Sequence, residues 1–485
     1  MTLASPSATF RDPAGSLTFE DDRVVRRIMA ASRGEVLEFL ESSFCRKLQH
    51  RGDLIDAAID DSGKDLFLHH PRIPIPTYPW EWTPSQWLAA GELTLDLCDE
   101  ALSAGWILKD ATPLNILFHG ARPVFVDILS FQRRDPQSSI WLAYGQYVRT
   151  FLLPLLMNRM LAWPLSLSLF QRDGYEPAEC YAALGWGDRL SRSAFWSITL
   201  PAVLDRRQEK RQNKHQDSLR DRRKADRQPR ESAPRKPLLR VVDPEVTTAV
   251  LKRTLNDLRW RTRRAMPQSE SSGWSEYQDT LTHYTPEETR QKLKWVRGAI
   301  DVAQPRRVLD IGANTGEFSA MAAAAGAEVV ALERDQAAAN SLFNMARERN
   351  LAIQTICADL ARPTPAAGWE NAESLALLPR LEGRFDLVLI LAVIHHLILM
   401  EQIPIPAILN LCHRLTTRYL VVEWVPVQDP MYQSLMRGRD NLYGTLTESD
   451  MLRACDGLFR DLSRHRLDNG RVLFLLERIS QAAAE

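Results

Sequence analysis

The chain has 485 residues, enough for two to four domains that each bury a core. Its 61 basic and 61 acidic residues balance, so no overall field points to nucleic acid, a membrane surface or an acidic substrate. Six scattered cysteines (Cys45, Cys98, Cys180, Cys357, Cys412 and Cys455) form no CxxC pair, which argues against a disulfide framework or zinc site and fits a reducing cytoplasm.

The N-terminal stretch, residues 1–15, lacks an apolar run and reads as a flexible tail, not a signal peptide. "SLTFEDDRVVRRI" predicts a short hairpin, "GEVLEFLESSFCRKL" a helix, "RIPIPTYPWEW" an extended hinge and "SQWLAAGELTLDLCDEALSAG" a long helix. "LKDATPLNILFHGARPVFVDILSF", Leu108 to Phe131, reads as a loop followed by a hairpin turning at His119-Gly120. The most apolar segment, Phe151 to Phe170, is interrupted by Pro154, Asn158, Arg159 and Pro164, so a buried helical pair is expected and not a membrane span. These elements delimit an α+β domain over 16–204.

Residues 205–237 are almost free of apolar side chains and cannot bury enough surface to order themselves, so they read as a charged linker. Their excess of Arg and Lys could touch nucleic acid or acidic lipid. A helical connector is expected over 238–272 and a second domain over 273–485. In "HYTPEETRQKLKWVRGAI", Thr285, Pro286 and Glu288 carry the pattern of a capped helix start.

The second domain alternates strand and helix. "RRVLDIG", "AEVVALE", "IQTICAD", "FDLVLILA" and "RYLVVEWV" predict a parallel sheet covered on both faces, and Asn469-Gly470 predicts a closing antiparallel hairpin. "VLDIGANTGEF" joins a strand to a helix through Gly312 and Gly316, where a ligand can approach the backbone and the helix N-terminus offers free N–H groups. Glu333 ends the next strand, placed to accept hydrogen bonds from ribose hydroxyls. The spacing Gly-x-x-x-Gly is not the pyrophosphate fingerprint.

From about Gly273 onward the sequence resembles the class I S-adenosylmethionine-dependent methyltransferases, which implies a Rossmann-like seven-stranded sheet ending in an antiparallel hairpin. The resemblance implies that Asp310, Gly312 and Gly316 hold the methionine end, that Glu333 binds ribose and that Asp359 lies near the adenine amino group. Asn314 stands where many members have a glycine. "LAVIHHL" after the fourth strand departs from the Asn/Asp-Pro-Pro-Tyr pattern of amino-group methylation. His395, His396 and Glu423, at strand ends where a ligand crevice opens, are the candidates for a proton acceptor, against a structural or pocket-lining role. Trp274, Tyr277, Tyr284 and Trp424 are candidates for an aromatic wall.

Asp110, Pro113, Asn115 and Asp127 resemble the catalytic loop of protein kinases and aminoglycoside phosphotransferases, Asp-x-x-Pro-x-Asn, a hairpin, then Asp. This implies a kinase-like α+β domain with Asp110 as base, Asn115 and Asp127 as magnesium ligands, and ATP as cofactor if the site is active. A glycine-rich phosphate loop and a phosphate-binding lysine are missing, with Arg26 or Arg27 as substitutes for the latter. Three functions stay open: a cytoplasmic methyltransferase with a substrate-positioning kinase-like module, a bifunctional methyltransferase and phosphotransferase, and a non-catalytic ligand sensor. With no nucleic-acid module and no net charge, the expected acceptor is a small molecule or glycan.

Overall fold

The computed structural model describes residues 12–20, 23–61, 63, 65–207, 243–267, 284–436 and 444–479. Most of the expected tail and linker, together with Trp274 and Tyr277, lie outside the described residues.

In the N-terminal half, β1 (Gly15–Phe19), β2 (Arg23–Ile28), β3 (Ala58–Asp60) and β4 (Leu66–Pro71) form an antiparallel sheet in the order β1-β2-β4-β3. The single helix expected over 34–48 is two, Arg33–Glu41 and Ser43–Arg51. Ser42 leaves the helical conformation and its hydroxyl accepts the Cys45 N–H, starting the second helix with a side-chain cap. The long helix Pro84–Ser103 starts from a reciprocal cap between Thr83 and Gln86, with Pro84 where a missing N–H costs nothing. It leads into β5 (Trp106–Leu108), then the hairpin of β6 (Ile116–His119) and β7 (Arg122–Phe125), then β8 (Phe131–Arg133). The apolar segment beginning at Phe151 is buried through Met157, as the helix Leu153–Leu161 runs through the middle of the core. The helix Pro244–Ala265, within the stretch expected as a connector, puts Leu251, Leu255, Leu258 and Ala265 into this same core. Among the described residues no helix is long and apolar enough to cross a membrane.

The C-terminal half is one sheet of seven strands: β9 (Arg307–Ile311), β10 (Glu328–Glu333), β11 (Ile353–Cys357), β12 (Phe385–Ile390), β13 (Thr416–Trp424), β14 (Phe459–Arg466) and β15 (Val472–Arg478). Their order is β11-β10-β9-β12-β13-β15-β14, the first five parallel and β15 antiparallel to both neighbours. The parallel strands read as continuous Val/Ile/Leu runs because helices cover both faces. Gly470, at φ +84°, closes the tight turn between β14 and β15.

Edge strand β11 does not face water. The stretch 75–86 of the N-terminal half, which includes the short 3-10 turn Pro79–Glu81 and the first turn of the long helix, lies against it. Gln354 Nε2 donates to the Ile75 carbonyl at 2.6 Å and Gln86 Nε2 to the Thr355 carbonyl at 3.1 Å. Beside this seam Glu81 and Arg380 form a bidentate pair with both side chains at most 1% exposed. Thr364 and the Tyr78 backbone also donate to Glu81, so every charge in the joint is matched.

Candidate functional site

A cavity opens at the carboxyl ends of β9, β10 and β12, where the strand order reverses and parallel sheets of this kind hold ligands. The loop after β9 floors it. Gly312 has φ +71°, and a Cβ there would collide with Val393. Gly316 has φ +91°, with Leu342 2.8 Å from the place a Cβ would occupy, so both positions exclude side chains on two counts. Asn314 between them adopts φ +51°, a conformation Asn tolerates better than most residues.

Two acids face this loop. Asp310, buried at the end of β9, accepts the Ser319 hydroxyl at 2.6 Å. Burial pushes its carboxyl up to about 6, with Ser319 pulling the other way. Glu333, at the end of β10, accepts the Asn314 N–H at 2.9 Å and the Asp335 N–H at 2.8 Å, one on each oxygen. Burial raises it above the usual carboxylate range against those two bonds. The Asn314 side-chain oxygen is shielded from solvent and has no hydrogen-bond partner among the described residues. Asp359 lines the cavity at the end of β11, its carboxylate accepting the Ala361 N–H at 2.9 Å and pairing with Arg362.

The three acceptor candidates separate. His396 lines the cavity, and burial holds its imidazole at about 4. His395 is 1% exposed, is not part of the lining, and has both ring nitrogens unpartnered. Burial keeps it neutral, its value far below the ordinary one. Glu423 is fully buried and also lies outside the lining. Lys292 Nζ donates to it at 2.7 Å and the Tyr284 hydroxyl donates to its other oxygen. Arg471 stands within 3.5 Å and is itself anchored by Asp429 at 2.7 Å. Burial alone would raise Glu423, but Lys292 and Arg471 outweigh it and hold the carboxyl low. The expectation of Glu423 as a proton acceptor therefore meets a carboxylate locked between two cations. Tyr284 does line the cavity, whereas Trp424 is core. Lys292, Asp429 and Arg471 were invisible as a set in the sequence, because they come from a helix, a loop and the turn just before β15.

The N-terminal constellation is assembled differently. Asp110 is half-buried, raised above its ordinary value by burial and by the nearby charge of Asp127. Asn115 Nδ2 donates to the Ser130 hydroxyl at 3.0 Å, and that hydroxyl donates to Asp127 at 2.6 Å. The other Asp127 oxygen accepts Arg26 Nη1 at 2.8 Å, across 101 residues of chain. Arg27 instead pairs with Asp65 on the surface. Both oxygens of Asp127 thus have partners, one of them a guanidinium, which does not fit a magnesium ligand. Among the described residues no group of three or more His, Cys, Asp or Glu is arranged to hold a metal ion. All six cysteines are free thiols.

Sheet order, glycine loop and converging acids define an α/β domain with a ligand cleft at its strand ends, fused to an N-terminal α+β unit. No protein-family model matches the chain. The nodulation protein NoeA of Rhizobium meliloti strain 1021 is 27% identical over 487 residues, spanning 97% of this chain and 96% of NoeA. Among solved structures, WbdD bound to a kinase inhibitor is 21% identical, with a TM-score of 0.29 over 38% of this chain and 40% of WbdD. The magnesium protoporphyrin IX methyltransferase ChlM of Synechocystis PCC 6803 is 17% identical, with a TM-score of 0.31 over 40% of this chain and 84% of ChlM. Overlays this partial add nothing to what strand order and cavity already define.

Proposed function

We propose that the C-terminal domain transfers a methyl group from S-adenosylmethionine to a small-molecule or glycan acceptor. The carrying observation is the cavity's polar lining, in which Asp310 and Glu333 come from neighbouring strands and the loop between them carries the unpartnered Asn314 oxygen. Each Glu333 oxygen has a lone pair left after its backbone bond, so the two can accept a pair of ribose hydroxyls. The Asn314 oxygen and the Asp310 carboxylate are acceptors for the ammonium of an amino-acid tail. Gly312 and Gly316 let that tail approach the backbone. Bound S-adenosylmethionine supplies a methyl group on a sulfonium, ready for in-line displacement. The residues around it then contribute mainly alignment. His396, neutral at physiological pH, takes the acceptor's proton. His395 and Glu423 hold the wall behind it.

Titration calorimetry with S-adenosylmethionine tests this directly, and absence of heat with the folded chain rejects it. The N-terminal unit resembles a kinase fold in its element order, and in this proposal it binds or positions the acceptor without magnesium. The Arg26–Asp127 pair supports that choice over phosphotransfer. Magnesium-dependent ATP binding abolished by Asp127→Asn would reverse it.

A further inference from the structure

The described residues hold four tryptophans that are largely exposed, and three of them, Trp186, Trp196 and Trp260, sit at one end of the N-terminal unit. There the short helices Pro177–Ala183, Trp186–Arg189 and Arg192–Ala194 pack around the segment 195–207 and the helix Pro244–Ala265. Trp186 is 80% exposed, Leu190 72% and Trp196 55%, and Leu204 follows on the same segment. Large apolar side chains left in water together mark a contact surface.

Arginines are built into the same place. Arg189 lies 4.2 Å over the Tyr181 ring and 5.7 Å from Trp186, and Arg206 covers Tyr181 at 4.9 Å. Arg192 and Arg264 stand 5.6 and 4.9 Å from the Trp260 ring, in a shallow groove that Trp196 shares. Leu190 and Arg192, two residues apart, join the two groups into one strip. From Tyr181 to Arg207 the acids are Asp188 and Asp205, outnumbered by Arg189, Arg192, Arg206 and Arg207, while Glu179 and Asp257 lie on the flanking helices, the latter paired with Arg261.

Cationic and aromatic side chains together could serve nucleic acid or lipid, and two features decide between them. Guanidiniums already cover the Tyr181 and Trp260 rings, so neither ring is free to stack on a base. The most exposed partners include aliphatic Leu190 and Leu204, which nucleic acid does not reward but acyl chains do.

We propose that this strip seats the protein peripherally on an anionic lipid bilayer. Trp186, Leu190 and Trp196 enter the headgroup region, and Arg189, Arg192 and Arg206 meet lipid phosphates. Co-flotation of the full chain with phosphatidylcholine vesicles, with and without phosphatidylglycerol, tests it. The wild type is expected to float with the anionic vesicles and not with the neutral ones. The double variant W186S/L190S removes exposed side chains only, so its thermal midpoint should match wild type while its partition coefficient falls about tenfold or more. R192Q/R206Q should release from vesicles at lower salt than wild type. Wild type that floats with neither vesicle overturns the proposal. Undiminished flotation of W186S/L190S also overturns it, assigning the binding to the basic run 208–237.

Discussion

Asp310 and Glu333 in one half, and Asp110 and Asp127 in the other, are paired acids beside an Asn, yet the fold treats them differently. In the C-terminal cleft the acids meet neutral donors: two backbone N–H groups for Glu333 and a hydroxyl for Asp310. Neutral donors orient a carboxylate without cancelling its charge, so the site stays attractive to donors on a ligand. In the N-terminal half Arg26 supplies a full positive charge to Asp127, and the electrostatic demand is met from inside the protein. Residue type alone does not distinguish a poised acid from a satisfied one; the partner does.

The sharpest way to break this comparison is at Glu423, a satisfied acid inside the C-terminal half. Glu423→Gln leaves Lys292 buried without a carboxylate and Arg471 with Asp429 alone, and should destabilise the chain by about 3–5 kcal/mol in denaturant unfolding. Retained stability would mean that the cluster is not closed. Next comes a poised acid. Glu333→Gln keeps the side-chain shape but removes the charge, and calorimetry should show S-adenosylmethionine binding weakened by about 100-fold. Equal affinity in the variant would place the ribose elsewhere.

Asp310 gives a smaller effect with a definite pH signature. Its folded-state value of about 6 lies above that of the unfolded chain, so the folded form holds a proton that the unfolded form has already released. Stability therefore falls as pH rises from about 4 to about 6, and the penalty is complete above that window. Asp310→Asn should raise stability by about 2 kcal/mol at pH 7, and melting curves for the two proteins should converge below about pH 4. A gain that persists in acid would have another origin. Smallest is His396→Gln, expected to slow methyl transfer by about tenfold. With the imidazole held at about 4, the limb of the rate profile that wild type shows and the variant lacks should lie in acid solution, below the Asp310 transition at about 6. Unchanged turnover in the variant would remove His396 as proton acceptor.

The C-terminal sheet was legible because most of its strands carry long apolar runs, as β10, β12, β13 and β15 do, and its turns carry glycine where φ is positive, as at Gly312, Gly316 and Gly470. Local chemistry wrote those elements, so local pattern reveals them. The same holds for the capped start at Thr285, where the Glu288 N–H and side chain bond back as the spacing predicts. The break at Ser42 was missed because a serine inside an apolar-periodic run caps a helix only when the backbone turns there. Ion pairs were the least legible part. Glu423 in "LVVEWV" stands out as a charge in an apolar strand, but its partners lie 131 residues upstream and 48 downstream. Arg26 was one of two candidates, and nothing local separates it from Arg27; only the direction each takes from β2 does.

Strand β11 carries a practical consequence for anyone dividing the protein. A fragment beginning near residue 273 would contain the whole cleft, yet it would lose Gln86 from the Thr355 carbonyl and leave Arg380 without Glu81. Such a fragment presents an open row of peptide groups next to an orphaned buried cation, a combination that invites clumping. Poor behaviour of the isolated half would then report on the missing cover, and would say nothing about whether the cleft works.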